Sequence, residues 1–335
     1  MKKKNITFCL ILFICLIYSS LIFANETIRP VSTYSIVAVD IETGQMGVAV
    51  QSHWFSVGFL VPWIESGVGA VATQSFVKVD YGPEGLELMK KGSTAEEALE
   101  KLIQSDENES VRQVAMIDIH GNVVVHTGKK CIPEAGHIIG KGYSCQANLM
   151  LKDTVWKAMA EAFENTPGEL AERLIAALEA AQREGGDIRG RQSAAIIVAQ
   201  IEKTERWWEG ILYNLRVEDY PEPVKELKRL VKLNQAYNHM NRGDFLLTEN
   251  KITEAMEAYT KAMNMYPDNA EMIFWPAVTL ASTGKVEDSL PLFKKVFAID
   301  YNWAVLVPRL PKVGQLPDDA ELIEKILSVA PKKNN

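Results

Sequence analysis

The residues able to do chemistry in this chain sit in short polar clusters bracketed by glycine. Gln51-Ser-His53 and Thr73-Gln-Ser75 each close an apolar run, and Gly136-His-Ile-Ile-Gly-Lys-Gly-Tyr143 lies between two cysteines. The densest is Gly185-Gly-Asp-Ile-Arg-Gly-Arg-Gln-Ser193. Glycine lets backbone amides approach a ligand, and the forked guanidinium groups of Arg189 and Arg191 can grip a carboxylate or another oxyanion. The clusters nominate a pocket built from Ser52, His53, Gln74, Ser75, His137, Asp187, Arg189, Arg191, Gln192 and Ser193. Composition alone also fits a plain helix-to-strand loop with solvated arginines for the last of them. Cys131 and Cys145 have three readings. A disulfide would close a loop of about 15 residues and contribute on the order of 3 kcal/mol. Two buried thiols come next, and Cys131 as a nucleophile near His137 ranks last, because nothing in the sequence would activate the thiol.

Other chemistries lack their residues. The chain has no Gly-x-x-x-x-Gly-Lys-Ser/Thr phosphate loop, no His-Glu-x-x-His, no Cys-x-x-Cys and no Gly-x-Ser-x-Gly. Its five histidines, His53, His120, His126, His137 and His239, show no metal-ligand spacing. No metal or cofactor is expected.

The elements that must hold these clusters read in two styles. Tyr34 to Asp40 and Met46 to Gln51 flank a Glu42-Thr-Gly44 turn and predict a hairpin, as do Val114 to Ile119 and Val123 to Thr127 around His120-Gly-Asn122. Gly67 to Gln74, Ser193 to Gln200 and Ile211 to Val217 read as further strands. Ala95 to Ile103 is amphipathic, and Val155, Met159 and Phe163 form one helical stripe. Thr166-Pro-Gly-Glu169 has the form of a helix start, with Thr as cap and Glu reaching back, ahead of Leu170, Leu174 and Leu178. This pattern predicts an α+β layered domain from about Thr33 to Leu233.

Beyond Leu233 the chain turns helical and repeats. Gly243, Ala255, Tyr259, Ala262 and Pro267 occupy the small, small, aromatic, small and Pro positions of a tetratricopeptide repeat, and Ala277, Ser289, Phe293, Val296 and Tyr301 form a degenerate second copy. Residues 234–335 are therefore expected to be an all-α repeat-like tail, with Asp318 to Val329 as its capping helix or the whole tail docked on the first domain, and a partner protein as one candidate occupant.

At the N-terminus, Lys2, Lys3 and Lys4 precede an apolar run from Ile6 to Ile17, then Tyr18-Ser-Ser20 and a Leu-Ile-Phe-Ala stretch ending at Ala24, the form of a secretory signal cut after Ala24. An uncleaved anchor is the competing reading. Export would place the protein in the periplasm or outside the cell, where disulfides persist. The 335 residues carry a net charge of -7; removal of residues 1–24 takes three lysines and leaves 33 basic against 43 acidic residues, a net charge of -10. That balance argues against nucleic acid as a partner. Trp207-Trp208 is a candidate contact patch for a homo-oligomer.

Taken in order, Ser32 to Asp40, Gly47-Val-Ala-Val50, Gly67 to Gln74, Tyr81-Gly-Pro-x-Gly-Leu86, Ala135-Gly-His137, Gly186-Asp-x-Arg-Gly-x-Gln-Ser-Ala-Ala195 and Leu215 to Pro223 resemble the family labelled domain of unknown function 1028. The resemblance covers Thr33 to Leu233. It implies the N-terminal nucleophile (Ntn) hydrolase architecture, a four-layer αββα sandwich. Carried over to this chain, it makes Thr33 the nucleophile: processing exposes its α-amine, the amine takes the hydroxyl proton, and the hydroxyl attacks an amide carbonyl. Side chains or amides near Gln74 and Ser75, or in the Gly185 to Ser193 loop, would hold the oxyanion. Residues 25–32 then form a short leader that a second cut must remove. The threonine-protease branch also places an acidic residue and a lysine downstream, whereas Gln51-Ser-His53 and Val61-Pro-Trp-Ile-Glu65 stand there and supply no lysine. The expected reaction is hydrolysis of an amide in a small molecule or peptide. The alternative is an exported, non-catalytic module that binds a ligand or protein.

Overall fold

The computed structural model describes residues 30–332 apart from 207. The expected signal segment, residues 25–29 of the leader and Trp207 lie outside the described residues.

Among the described residues ten strands form two antiparallel sheets. They are β1 (Thr33–Asp40), β2 (Gln45–Ser52), β3 (Pro62–Glu65), β4 (Gly69–Ser75), β5 (Arg112–Asp118), β6 (Val123–Thr127), β7 (Gly136–Gly140), β8 (Tyr143–Ala147), β9 (Ser193–Gln200) and β10 (Ile211–Val217). The larger sheet has the order β10-β9-β2-β1-β8-β7 and the smaller β3-β4-β5-β6. Both expected hairpins form: β1 pairs with β2 from Thr33↔Ser52 to Asp40↔Gln45, and β5 with β6.

Side chains alternate across a strand, and the alternation assigns the layers. Ala70 and Ala72 of β4 and Ala115 and Ile117 of β5 share one buried cluster with Val37, Val39, Val48 and Val50 of the larger sheet. Their neighbours Val71, Val114 and Met116 belong to another, with Tyr81, Leu86, Leu99 and Leu102. The first set fills the space between the sheets. The second binds helices α1 (Tyr81–Lys90) and α2 (Ala95–Gln104) to the outer face of the smaller sheet. Helix α2 opens on a full capping box between Thr94 and Glu97. Helices α3 (Val155–Asn165) and α4 (Leu170–Arg183) pack on β1, β2 and β8 of the larger sheet. Helix, sheet, sheet, helix is the resulting order.

Several expectations change. Thr166 does not open α4: it ends α3, and its Oγ1 donates to the Ala162 carbonyl at 2.7 Å. Gly168 then turns the chain at φ 110°, and α4 starts at Leu170 behind Glu169. The glycine-bracketed stretch Gly136 to Tyr143 forms strand β7 and the start of β8. Cys131 and Cys145 are free, buried thiols instead of a disulfide. Cys131 Sγ turns to the Arg112 carbonyl at 3.3 Å, beside the smaller sheet, while Cys145 lies inside β8 of the larger one. Burial pushes both thiols up in pKa, Cys145 with a further contribution from Glu164.

The chain forms two compact units that divide between Leu227 and Lys228, inside the long helix α5 (Pro223–Thr248); the sequence pattern had suggested Leu233 because nothing in the helical periodicity marks the break. In the second unit α5 continues into α6 (Ile252–Met265), α7 (Ala270–Ser282), α8 (Val286–Ile299), the short α9 (Asn302–Leu306) and α10 (Ala320–Leu327). Ala255, Tyr259, Ala262, Ala277, Ser289, Phe293 and Val296 are all buried there. Gly243 is needed for packing: a Cβ at that position would come within 2.4 Å of the Tyr259 ring. Asp319 caps α10 through the amides of Glu321 and Leu322, and Leu322 and Ile326 seal the end of the apolar core.

Candidate functional site

The same alternation that builds the inter-sheet core places a polar cluster at one end of it. Thr33 and Ser35 share the face of Val37 and Val39 on β1; Ser52 continues Val48 and Val50 on β2; Gln74 continues Ala70 and Ala72 on β4; Gln113 precedes Ala115 and Ile117 on β5. Ser144 and Gln146 stand opposite Val37 and Ser35 on β8. All of these polar residues are fully buried. Burying amides and hydroxyls is costly without partners, and here they pair with one another. Ser35 Oγ donates to Gln74 Oε1 at 2.6 Å and accepts from Gln146 Nε2 at 2.6 Å. Gln74 Nε2 and Asn148 Nδ2 donate to Gln113 Oε1, at 2.7 and 3.0 Å. Gln113 Nε2 donates to the Ala147 carbonyl at 2.9 Å and to Thr127 Oγ1 at 3.0 Å. The network fixes the end of β1, whose Thr33 carbonyl accepts from the Asn148 amide at 3.1 Å.

Thr33 itself is fully buried, and its Oγ1 donates to the Val31 carbonyl at 2.7 Å. The three residues before it are bound through their main chain. Val31 pairs with Ser75, giving and receiving a backbone hydrogen bond at 2.7 and 3.0 Å. Ser75 reaches this bridge at φ 71°, a left-handed conformation uncommon for a residue with a side chain. The Ser32 carbonyl, which belongs to the peptide bond preceding Thr33, accepts from Ser52 Oγ at 2.5 Å and from Arg189 Nη2 at 2.9 Å. Arg189 Nη1 also donates to the Pro30 carbonyl at 3.2 Å.

Asp187 aims that guanidinium. Its buried carboxylate accepts from Arg189 Nη2 at 2.7 Å and Nε at 3.0 Å, from the Arg189 amide at 2.9 Å, and from the His53 amide at 3.1 Å. The loop that carries the pair depends on Gly185, at φ 113°, where a Cβ would sit 2.5 Å from Leu151. Tyr34, on the opposite face of β1, donates to Gln182 Oε1 at 3.1 Å. Burial, then the nearby Asp187 charge, holds its phenol well above the ordinary range.

The motif order noted in the sequence is matched by a family model. The model for a family of unknown function, DUF1028, matches residues 33–227. The chain belongs to the DUF1028 family. Among solved structures, this DUF1028 chain is similar to the crystal structure of protein SPO2555 from Silicibacter pomeroyi, described with the same family model, at 28% identity and a TM-score of 0.54 over 60% of this chain and 88% of that one. No curated protein matches the chain.

Of the residues nominated for a pocket in this DUF1028 domain, Ser52 and Arg189 meet on the carbonyl before Thr33, Asp187 aims Arg189, Ser75 pairs with Val31, Gln74 braces Thr33 from the inter-sheet side, and His53 joins through Asp187. The others stand elsewhere. His137 is exposed on β7 and bonds Thr127 Oγ1 at 2.9 Å. Arg191 is exposed and ion-paired with Glu222, and the Gln192 carbonyl accepts from the Tyr220 amide. Ser193 Oγ ties the Trp54 carbonyl to the Val57 amide, which fixes a turn. Sequence reasoning missed Ser35, Gln113, Ser144, Gln146 and Asn148. The signal available for most of them was a period-two apolar pattern that turns polar at one end of each strand. Among the described residues no group of three or more His, Cys, Asp or Glu side chains is placed to hold a metal.

Proposed function

We propose that this DUF1028 domain is an Ntn-type amidohydrolase that frees Thr33 by cutting its own Ser32–Thr33 bond. The observation that carries the reading is the Ser32 carbonyl, held by two side-chain donors next to a buried threonine hydroxyl. Two such donors, one of them cationic, stabilise an oxyanion far better in a water-poor site than in solvent. In the self-cut, Thr33 Oγ1 swings from the Val31 carbonyl and attacks the Ser32 carbon. The C–N bond breaks as a C–O bond forms, and the hydroxyl proton passes to the departing nitrogen, which becomes the α-amine. Water then hydrolyses the ester, leaving a Ser32 carboxylic acid and restoring the hydroxyl. In later turnovers the α-amine takes the hydroxyl proton, Thr33 Oγ1 attacks the incoming amide, the C–N bond breaks as the departing nitrogen takes that proton and leaves as an amine, and water then cleaves the ester to release the acid and restore the hydroxyl. The layer order fits the αββα sandwich that this chemistry uses elsewhere, an analogy that supports the reading without carrying it.

The reading extends to the whole chain: residues 1–24 direct export, and the helical unit, with small residues where its helices approach, is a tetratricopeptide-like surface for a protein partner. A second reading, a non-catalytic binding module, is favoured by the Val31–Ser75 pairing, which keeps Thr33 acylated in an ordered arrangement. Intact mass of the exported protein decides. A chain beginning at Thr33 supports the hydrolase, whereas a stable form beginning at Asn25 sinks the free-amine mechanism. Thr33→Ala is expected to remain uncut and to lose the adduct with a hydroxyl-directed electrophile; an adduct that persists places the nucleophile elsewhere.

A further inference from the structure

The segment before Thr33 is bound in a way that describes a ligand. Val31 lies in an antiparallel bridge, and the main chain of Pro30, Val31 and Ser32 is contacted at each residue. Arg189 holds the carbonyls of Pro30 and Ser32, Ser52 Oγ holds the second of these, and Ser75 exchanges two backbone hydrogen bonds with Val31. Every one of these contacts is to backbone. A lone acyl group or small cyclic amide offers one carbonyl and would leave the Ser75 and Pro30-side partners unused.

The side chains add selectivity. Val31 is 1% exposed and belongs to the apolar inter-sheet cluster, so its position accepts an aliphatic group and rejects a charge, which would be buried without a partner. Ser32 is fully buried and its hydroxyl makes no hydrogen bond, so that position selects smallness and gains nothing from the oxygen.

From this we infer that the segment 30–32 is the template for the acyl half of the substrate: the processed site takes an extended peptide with a small residue at the scissile carbonyl and an aliphatic residue before it, paired antiparallel to Ser75. The inference rests on the Ntn reading above and names the substrate class of that site. When the leader leaves after the self-cut, Arg189 and Ser52 regain the donors that held its carbonyls, and the peptide's main chain takes the leader's place.

The test uses the full chain after its own maturation, with intact mass establishing the N-terminus and a sulfonyl fluoride reporting Thr33 reactivity. Release of p-nitroaniline is then compared for acetyl-Pro-Val-Ala-p-nitroanilide, its Pro-Asp-Ala and Pro-Val-Trp counterparts, and p-nitroacetanilide. The first is expected to exceed each of the others in kcat/KM by roughly tenfold or more, the scale on which a pocket discriminates by size or charge. If Thr33 is the N-terminus and is labelled, yet the four anilides differ little or none is cut, the peptide template is overturned while the nucleophile stands. If no chain begins at Thr33, the Ntn reading and the template fall together.

Discussion

In the proposed reaction Arg189 would serve both the self-cut and the later turnovers. Its charge is fixed by a fully buried Asp187 side chain, so little entropy is lost in aiming it, and the Ser32 carbonyl receives a charge-assisted bond. Replacing Arg189 by Ala is expected to slow exposure of Thr33 by on the order of 100-fold, the usual loss for one oxyanion donor. A time course of intact mass reads this directly. Arg189→Lys should recover only part of the rate, because an ammonium cannot bridge the Asp187 carboxylate and two carbonyls in a fork. Asp187→Asn leaves the guanidinium in place but unpaired, and should raise the half-life of the uncut chain without unfolding it. An uncut half-life unchanged by all three variants would remove Arg189 from the chemistry. Asp187 and Arg189 stood out in the sequence because glycines surround them. Ser52 and Ser75 did so as strand-end polar residues, but their approach to the main chain of Ser32 and Val31 was not visible, because it depends on β2, β4 and the loop before β9 converging on the chain ahead of β1.

Among the elements, the polar end of the inter-sheet layer is where stability and site are coupled. Gln113 on β5 accepts from Gln74 of β4 and Asn148 beyond β8, and donates to β6 and β8, so it ties the two sheets together. Gln113→Ala leaves several buried donors and acceptors without partners and is expected to cost about 2–4 kcal/mol, seen as a lower denaturant midpoint at unchanged slope. On the outer face of the smaller sheet, Asp106 bonds Arg112 Nε at 2.9 Å and the Tyr81 hydroxyl at 3.1 Å, joining the start of β5 to α1. Burial opposes its charge, but the Arg112 guanidinium, the Asn108 amide and the Tyr81 hydroxyl prevail and lower its pKa. With the folded pKa below the unfolded one, the contribution is complete above about pH 4 and is lost as pH falls through the lowered value. Asp106→Asn should flatten that acid limb, which urea denaturation between pH 2 and 6 would reveal. In the helical unit, Gly243→Val is expected to destabilise despite its better helix propensity, because the Tyr259 ring occupies the space; faster amide exchange in α5 and α6 is the readout.

For the whole molecule, two cysteines separated by a short stretch of sequence in a chain expected to be exported suggested a staple, and the fold does not make one. Apolar clusters between the sheets and beneath α1 and α2 form without it. Mass mapping after alkylation in denaturant, with no reductant, should find Cys131 and Cys145 both modified, and neither should react appreciably in the native protein because burial suppresses the thiolate. A Cys131–Cys145 cross-linked peptide would contradict this. Among the described residues no helix is long and apolar enough to cross a membrane. The acidic balance of the chain is global, while the site presents a local cation, Arg189, to carbonyl oxygens; net charge therefore says little about the ligand.

The sequence by itself determined which segments alternate with period two and which with the helical period, and so the sheet-rich first unit, the helical second and most strand and helix positions. Those signals are local, set by whether neighbouring side chains face one core or two. It also singled out Thr33 through the family resemblance. Tertiary structure decided the layer order, the strands β3, β7 and β8, the separation of the thiols, and which polar residues share a site. These outcomes depend on pairings between segments far apart in sequence: Ser35 with Gln146, Val31 with Ser75, and Ser32 with both Ser52 and Arg189. Each pairing is fixed by sheet register and by the requirement that buried polar groups find partners, and neither constraint is written in any one stretch of chain.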